Sequence, residues 1–513
     1  MLILFTFVSE FNRLHIMKSN FLAFLMLALS LPVFSQTQLI SYPSVGKGVA
    51  TTFVTDYHCL GINPSALGQG TGYKDKKVTL GMTEFAFGIT SDALTTDRLK
   101  NLYGSLKDKA LGKKPVATAQ NQKDAIADYA QSGVSIYFDY NWLGFSYQNA
   151  KLGGIAINVR ESYSYYSKFN QDVTDLIFRG NTSSYFDSLT IAVNGDTSII
   201  ANSENISQDT LSNVVLGTMS VPLNLSQLTK DSEVKMVWNR TYNFGYGRKI
   251  FGIDSTFILY GGVGGRYIQS MAMFNFESGV NGLMMTSAMT PTFKIDYGSV
   301  AAINPSSMSP SNAVLPKAIG DGYGIDLSAS VLLFKNIKVA AAINNIGQVT
   351  YDRNVYSVKD TLVTSVSLSG LSDFDVTQSI NQFLTTGGIL TLEGKEKYVL
   401  KNASDFRFGA SIKALKILNL GFDMVAPFNK ENPGSIKNPI YSFGGEIRPV
   451  KWMAISCGYF GGGIYKTNIP VGVNFILKDG GYEFGISSRD ITSFFSQNSH
   501  SLSAAMGFAR MRF

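Results

Sequence analysis

The stretch Tyr323–Val331, "YGIDLSASV", alternates strictly between apolar and polar residues. Tyr323, Ile325, Leu327, Ala329 and Val331 fall on one side of an extended chain; Gly324, Asp326, Ser328 and Ser330 fall on the other. The pattern returns in "FRFGASIK" (Phe406–Lys413), "LNLGFDM" (Leu418–Met424), "YSFGGEIR" (Tyr441–Arg448) and "YEFGIS" (Tyr482–Ser487). A chain built from such ribbons has two ways to satisfy them. A soluble sandwich turns the apolar faces inward. A membrane barrel turns them toward lipid and lines a lumen with the polar faces.

Three features favour the barrel. The alternating runs last about nine to fourteen residues, and a membrane strand needs ~9–11. Many are joined by close turns, as at Lys478–Gly481 in "FILKDGGYEF" and around Arg448–Lys451 in "EIRPVKWMAI". Glycine and small residues crowd the polar faces, while aromatic residues mark strand ends. Composition agrees: 49 Gly, 25 Tyr and 35 Phe stand beside only 16% charged residues, where a soluble domain carries about a quarter.

The N-terminus supplies a route to the envelope. "MKSNFLAFLMLALSLPVFSQTQ" has Lys18, an apolar run from Phe21 to Leu31, and a small-residue cleavage pattern at Val33 and Ser35. Residues 1–35 are therefore expected to be a signal peptide, with Met17 as the true start. No run of eighteen apolar residues follows, so no helical anchor is expected. The expected location is the outer membrane, in contact with its lipid. The net charge of +7 is spread along the chain and does not suggest nucleic-acid binding. Cys59 and Cys457 are too few for a disulfide framework.

Fifteen segments read as strands, from 77–90 to 500–513. The segment 281–297 is the weakest, because Pro291 interrupts it, and barrels have even counts. An all-β transmembrane antiparallel barrel of about 14 strands is the expectation. Its last strand, ending "SAAMGFARMRF", places Gly507, Ala509, Met511 and Phe513 in one register and Arg510 and Arg512 in the other. Ala509, Met511 and Phe513 should face lipid. The tail resembles the C-terminal signal by which such barrels are handed to the barrel-assembly machinery. Long insertions are expected at 91–131, 169–232, 298–321 and 354–403; in barrels of this kind long loops are usually extracellular, but the sequence does not fix which of these face outward. The first carries a helical stripe of Leu99, Leu102, Leu106 and Ala110, and the last one of Val376, Ile380, Phe383 and Leu384.

No nucleophile, base and orienting group can be assembled from the chain. Neither enzyme activity nor a cofactor is expected, and the Asp56, His58, Cys59 group is a weak metal candidate. "GGVGGRY" (Gly261–Tyr267) lies mid-strand, where its glycines suit close backbone approach. Residues 36–75 precede the first strand and include "VTDYHCLGINPSALGQG" (Val54–Gly70), with Asn63, Pro64, Ser65 and Ala66 at its centre.

That motif resembles the Asn-Pro-Ala hatch of the FadL/PorV-like outer-membrane barrels, with Ser65 where alanine is usual. "GYGIDLSASV" and "KVAAAINNIG" (Gly322–Gly347) resemble the superfamily's recurrent strand pair. "DVTDLIFRGNTSSYFD" (Asp172–Asp187) resembles an element of an uncharacterised Bacteroidota branch. The resemblance implies an N-terminal plug over 36–75 and two candidate functions. One is passive uptake of a hydrophobic small-molecule ligand through a plugged lumen. The other is a surface binding platform, with a partner in type IX secretion or gliding. Asp326, Asn344, Glu446 and Glu483 are the candidate lumen residues for uptake. An apolar pocket behind the plug favours uptake; a sealed, charged lumen beneath ordered loops favours the platform.

Overall fold

An extended strand leaves N–H and C=O groups on both edges, and within lipid every one needs a partner. In the computed structural model the strands solve this by closing into a ring. The structure describes residues 34–35, 41–73, 75–91, 132–149, 151–203, 205–253, 256–279, 282–313, 315–367, 391–430, 432–463, 465–495 and 501–513. Most of the expected leader and both helical stripes, 99–110 and 376–384, lie outside them.

Fourteen antiparallel strands form the wall. They are β1 (Val78–Ser91), β2 (Val134–Asn149), β3 (Gly153–Lys168), β4 (Ser232–Ile253), β5 (Phe257–Gly279), β6 (Gly320–Leu333) and β7 (Ile337–Tyr351). The second half is β8 (Asp405–Leu415), β9 (Leu418–Pro427), β10 (Ile440–Val450), β11 (Met453–Gly463), β12 (Val471–Leu477), β13 (Tyr482–Ser488) and β14 (Ser501–Arg512). Each pairs with the next, and β14 closes on β1 from Thr79↔Arg512 to Thr90↔Ser501. Phe513 extends the ladder: its N–H donates to Val78 O at 3.0 Å, and its carbonyl accepts from Lys77 N at 2.7 Å.

The wall is inverted relative to a soluble sheet. Leu327 is 53% exposed on the outside, whereas its neighbour Asp326 is 2% exposed on the inside. Ile325, Ile157, Phe244 and Ile486 are likewise exposed outward. Trp452, Phe334, Phe251 and Phe513 lie at the end that carries the short turns, as an aromatic girdle does. The chain is an outer-membrane β-barrel. Short turns such as 334–336, 451–452 and 478–481 share that end with Phe513, which is thus periplasmic; the long insertions leave from the other.

One expectation is borne out and one needs correction. First, the segment 281–297, the weakest of the fifteen, is not a wall strand, which leaves fourteen. Only Gly282–Met289 is extended; it pairs with the outer part of β5 and with Val355–Lys359, above the wall. The position beside the inner part of β5 belongs to β6, and Pro291, lacking an N–H, begins a 3-10 turn. Second, Gly507 does not share the outward face of Ala509. β1 and β14 change parity together: Met82 and Thr83 are both exposed, with Thr83 at φ +56°, opposite exposed Phe508. Gly507 therefore points inward, where the Tyr42 ring occupies the space a Cβ would need. Ala509, Met511 and Phe513 keep the outward side.

The insertion 169–232 is not merely a polar excursion. It folds into a small cap. Asn170 caps the helix Gln171–Arg179 by accepting from Val173 N at 2.8 Å. Strands Ser188–Val193, Asp196–Ala201 and Val214–Thr218 form a sheet with Ser365–Val366. Asn194 and Gly195 turn the hairpin with φ +53° and +92°, as a two-residue turn of this hand requires. Val173, Leu176, Phe186, Leu189 and Leu228 pack as its core. Because Leu189 is fully buried, Leu189→Ala should cost the cap about 2–5 kcal/mol. Limited proteolysis of intact cells should then cut within 169–232 faster than in wild type, while the barrel stays folded. An unchanged cleavage rate would refute an independently packed cap.

A plug bolted into a glycine-lined lumen

Residues 41–73 fill the lumen, and nearly all of residues 41–67 are buried. The inward face of the wall is shaped to admit backbone. At Gly444 and Gly458 a Cβ would collide with the Lys47 carbonyl, and at Gly262 with the Pro64–Ser65 backbone. At Gly81 and Gly144 it would enter the Tyr57 ring. The mid-strand glycine run thus makes room for the plug.

The plug motif sits at the end of this path, in a 3-10 helix over Pro64–Gln69. Asn63 Nδ2 donates to Thr51 O at 2.7 Å and to Ser330 Oγ at 3.1 Å. Ser65 Oγ donates to Asn63 Oδ1 at 2.6 Å and meets Ser330 Oγ, while Ser65 N donates to Ser328 Oγ at 2.8 Å. The hydroxyl at 65 therefore ties the motif to β6, a bond alanine could not form. Pro64 lies against Gly262 and Gly264, and Ala66 is buried with Leu60 and Leu67.

All four sequence-nominated lumen residues point inward, and each is engaged. Asp326 accepts two bonds from Arg266 Nη2, at 2.6 and 2.7 Å, and one from Asn345 N at 2.7 Å. Asn344 donates to Ile62 O in the plug and to Asp405, both at 3.3 Å. Glu446 holds plug residue Lys47 at 2.8 Å and Arg448 at 2.7 Å. Glu483 binds Arg510 at 3.1 Å and Arg512 at 2.6 Å.

Sequence reasoning missed the centre of this network. Asp56, 0% exposed, pairs with Arg510. His58 lies between two carboxylates, with Nε2 at 2.9 Å from Glu84 and Nδ1 at 3.3 Å from Asp56. Glu84 also accepts from Tyr57 OH at 2.5 Å and Asn141 Nδ2 at 3.0 Å. Asp56, Glu84 and Glu483 thus gather Arg510, Arg512 and the His58 ring into one buried cluster where the plug meets the wall. Asp423 is a further anchor, accepting from the backbone N–H groups of Ala50 and Thr51 at 2.6 and 2.8 Å. These are single charges scattered over hundreds of residues, and no spacing announces them. Among the described residues no group of His, Cys, Asp and Glu is arranged to hold a metal.

Above the plug, toward the cell exterior, lies a cavity of about 120 Å³. Its lining is polar and apolar in nearly equal measure, with Asp139, Arg160, Asn239, Arg266 and Lys401 beside Ile268, Val349 and Leu400.

A family of unknown function (DUF5723) matches residues 198–479, more than half of the sequence. The chain belongs to this family. No curated protein matches this DUF5723 member. Among solved structures it is similar to the Pseudomonas putida toluene transporter TodX, at 8% identity over 94% of this chain and 99% of that one, TM-score 0.37. The Ralstonia pickettii toluene transporter TbuX gives 10% identity over 92% and 97%, TM-score 0.41. A Pseudomonas aeruginosa FadL homologue gives 9% over 94% and 98%, TM-score 0.38. At this level the function of the DUF5723 barrel has to be argued from its own residues.

Proposed function

We propose that this protein is a closed outer-membrane barrel acting as a binding platform at the cell surface, with its ordered cap carrying the contacts. The observation that supports this most directly is the lumen. Its nominated polar residues are spent on the plug or on other wall residues, and the space above the plug is small, about 120 Å³. Small-molecule sites are typically ~300–1,000 Å³, so this space is too small for a ligand of that size.

The cap supplies the surface. Residues 169–232 hold seven acidic residues against Arg179 and Lys230, so their net charge is 2 − 7 = −5. Ile199 and Val221 stand 75% and 74% exposed beside these charges. A partner with basic residues around an apolar patch suits that surface, since opposite potentials steer encounter. The likeness to PorV-like barrels directs the search toward secretion or gliding components.

A photo-crosslinking residue at position 199 or 221, used in living cells, should capture one defined protein. Capture should fall when Asp187 and Asp196 are replaced by asparagine. Purified barrel in liposomes should not speed entry of toluene or of a fatty acid. Saturable, barrel-dependent entry of either, with no crosslink, would replace the platform by passive uptake of a hydrophobic compound.

A further inference from the structure

We infer that the open edge of the cap sheet, strand Asp196–Ala201, receives an extended, basic segment of a partner protein as an added β-strand. This rests on the platform reading and names the chemistry of its partner.

The cap sheet runs in the order Ser365–Val366, Val214–Thr218, Ser188–Val193, Asp196–Ala201. One end is a strand of only two residues; the other is an edge of six. The hairpin fixes which groups that edge presents. Val193 pairs with Asp196 across the two-residue turn, and Asn202 N donates to Asp187 O at 2.9 Å. Bonded residues alternate along an antiparallel ladder. Asp196, Ser198 and Ile200 therefore spend their N–H and C=O groups on the neighbouring strand, and those of Thr197, Ile199 and Ala201 point away from the sheet. Among the described residues nothing bonds to them. Every residue of the strand but Ile200 is exposed. Proteins commonly blunt such an edge with lysine, proline or a bulge, and "DTSIIA" has none of the three.

Charge selects the occupant. From Gly180 to Thr229 the chain carries Asp187, Asp196, Glu204 and Asp209 and no Lys, Arg or His. A second copy of this edge would bring the same acidic residues to the seam, where like charges disfavour it, whereas a basic segment is attracted. Alternation then assigns its two sides. Thr197, Ile199 and Ala201 lie on one face of the edge; Asp196 and Ser198 share the other with Ile200, which packs against the cap core. A segment of alternating apolar and basic residues lays its apolar side beside Ile199, 75% exposed, and its basic side on the face of Asp196. Main-chain bonds to the edge supply affinity, and the alternate side chains supply specificity.

The full-length barrel in an amine-oxide detergent is titrated with a dye-labelled eight-residue peptide of alternating lysine and valine, read by anisotropy. It should bind one to one, and the same peptide with glutamate for lysine should not. Methylating the backbone nitrogens of the valines, or those of the lysines, separates a ladder from charge alone. One set faces the cap edge and should weaken binding at least about tenfold; the other faces solvent and should matter little. Thr197→Pro removes an outward N–H at an edge position that tolerates proline and should weaken binding by a similar factor. Thr197→Val keeps the N–H and should bind as wild type does. Protease resistance of 169–232 reports that each cap remains folded. No binding of the lysine peptide, equal effects of the two methylated sets, or undiminished binding by a folded Thr197→Pro would each overturn the added strand. So would barrel dimers that Thr197→Pro abolishes, which would assign the edge to a second copy. Crosslinking from position 221 tests the platform separately: capture of one protein there, alongside any of these failures, leaves the platform standing without the added strand.

Discussion

Asp56→Ala is expected to release the plug from the periplasmic half of the wall. The carboxylate is fully buried and receives Arg510 from β14, with Arg512 3.9 Å away. Removing it leaves Arg510 and Arg512 sharing Glu483, and it leaves His58 with one carboxylate neighbour instead of two. Breaking a buried pair by deleting one partner costs about 3–5 kcal/mol, because the remaining charge loses its compensation. That is roughly a hundredfold to several-thousandfold loss in the equilibrium for docking the plug. The wall needs no part of Asp56 for its own ladder. The variant should therefore assemble and keep its heat-dependent gel mobility, yet show current steps in planar bilayers that wild type lacks. Protease added from the periplasmic side should cut between residues 41 and 73. A silent variant with a protected plug would show that the cluster does not hold it.

Gly444→Val is expected to loosen the plug in the same direction by a different route. The Lys47 carbonyl occupies the space a side chain at 444 would need. This neighbour is backbone, and Gly458 holds the same carbonyl from the next strand, so no rotamer change can relieve the collision. Overpacking of this kind costs about 1–3 kcal/mol, occasionally more, and here it also pushes Lys47 away from Glu446. Conductance and protease access to the plug should rise as in Asp56→Ala. Gly279→Ala is the control: nothing lies within 4 Å of a Cβ there, and the variant should behave as wild type. Equal behaviour of the Gly444 and Gly279 variants would refute the close seat.

The outward face was legible because lipid imposes a rule on every second residue. Alternation placed Leu327, Ile325 and Ile486 on apolar faces, strand length and close turns turned those faces outward, and the structure exposes all three. The strand count followed from closure, since an odd wall strand has no antiparallel partner at the seam. Gly507 shows the limit. A paired parity change at Thr83 and Phe508 reverses its side, and nothing local in "AAMGFARM" marks the place. The cap was misread for a different reason. Its Asn194-Gly195 turn between alternating residues was a readable hairpin signal, hidden in a segment dominated by Asn, Ser and Thr.

The candidate site divides in the same way. Asn63, Asp326, Asn344, Glu446 and Glu483 could be nominated because they sit in a motif or on the polar side of a ribbon. Their partners could not. Lys47 lies 399 positions from Glu446, and Asp56 lies 454 from Arg510. Alternation together with strand length, close turns and aromatic strand ends, all local properties, determined that this chain is a closed cylinder with its polar side chains inward. Which of those side chains meet, and that they grip a plug or one another, was decided only when the ring closed around residues 41–73, because a bond between distant residues leaves no periodic trace in the chain.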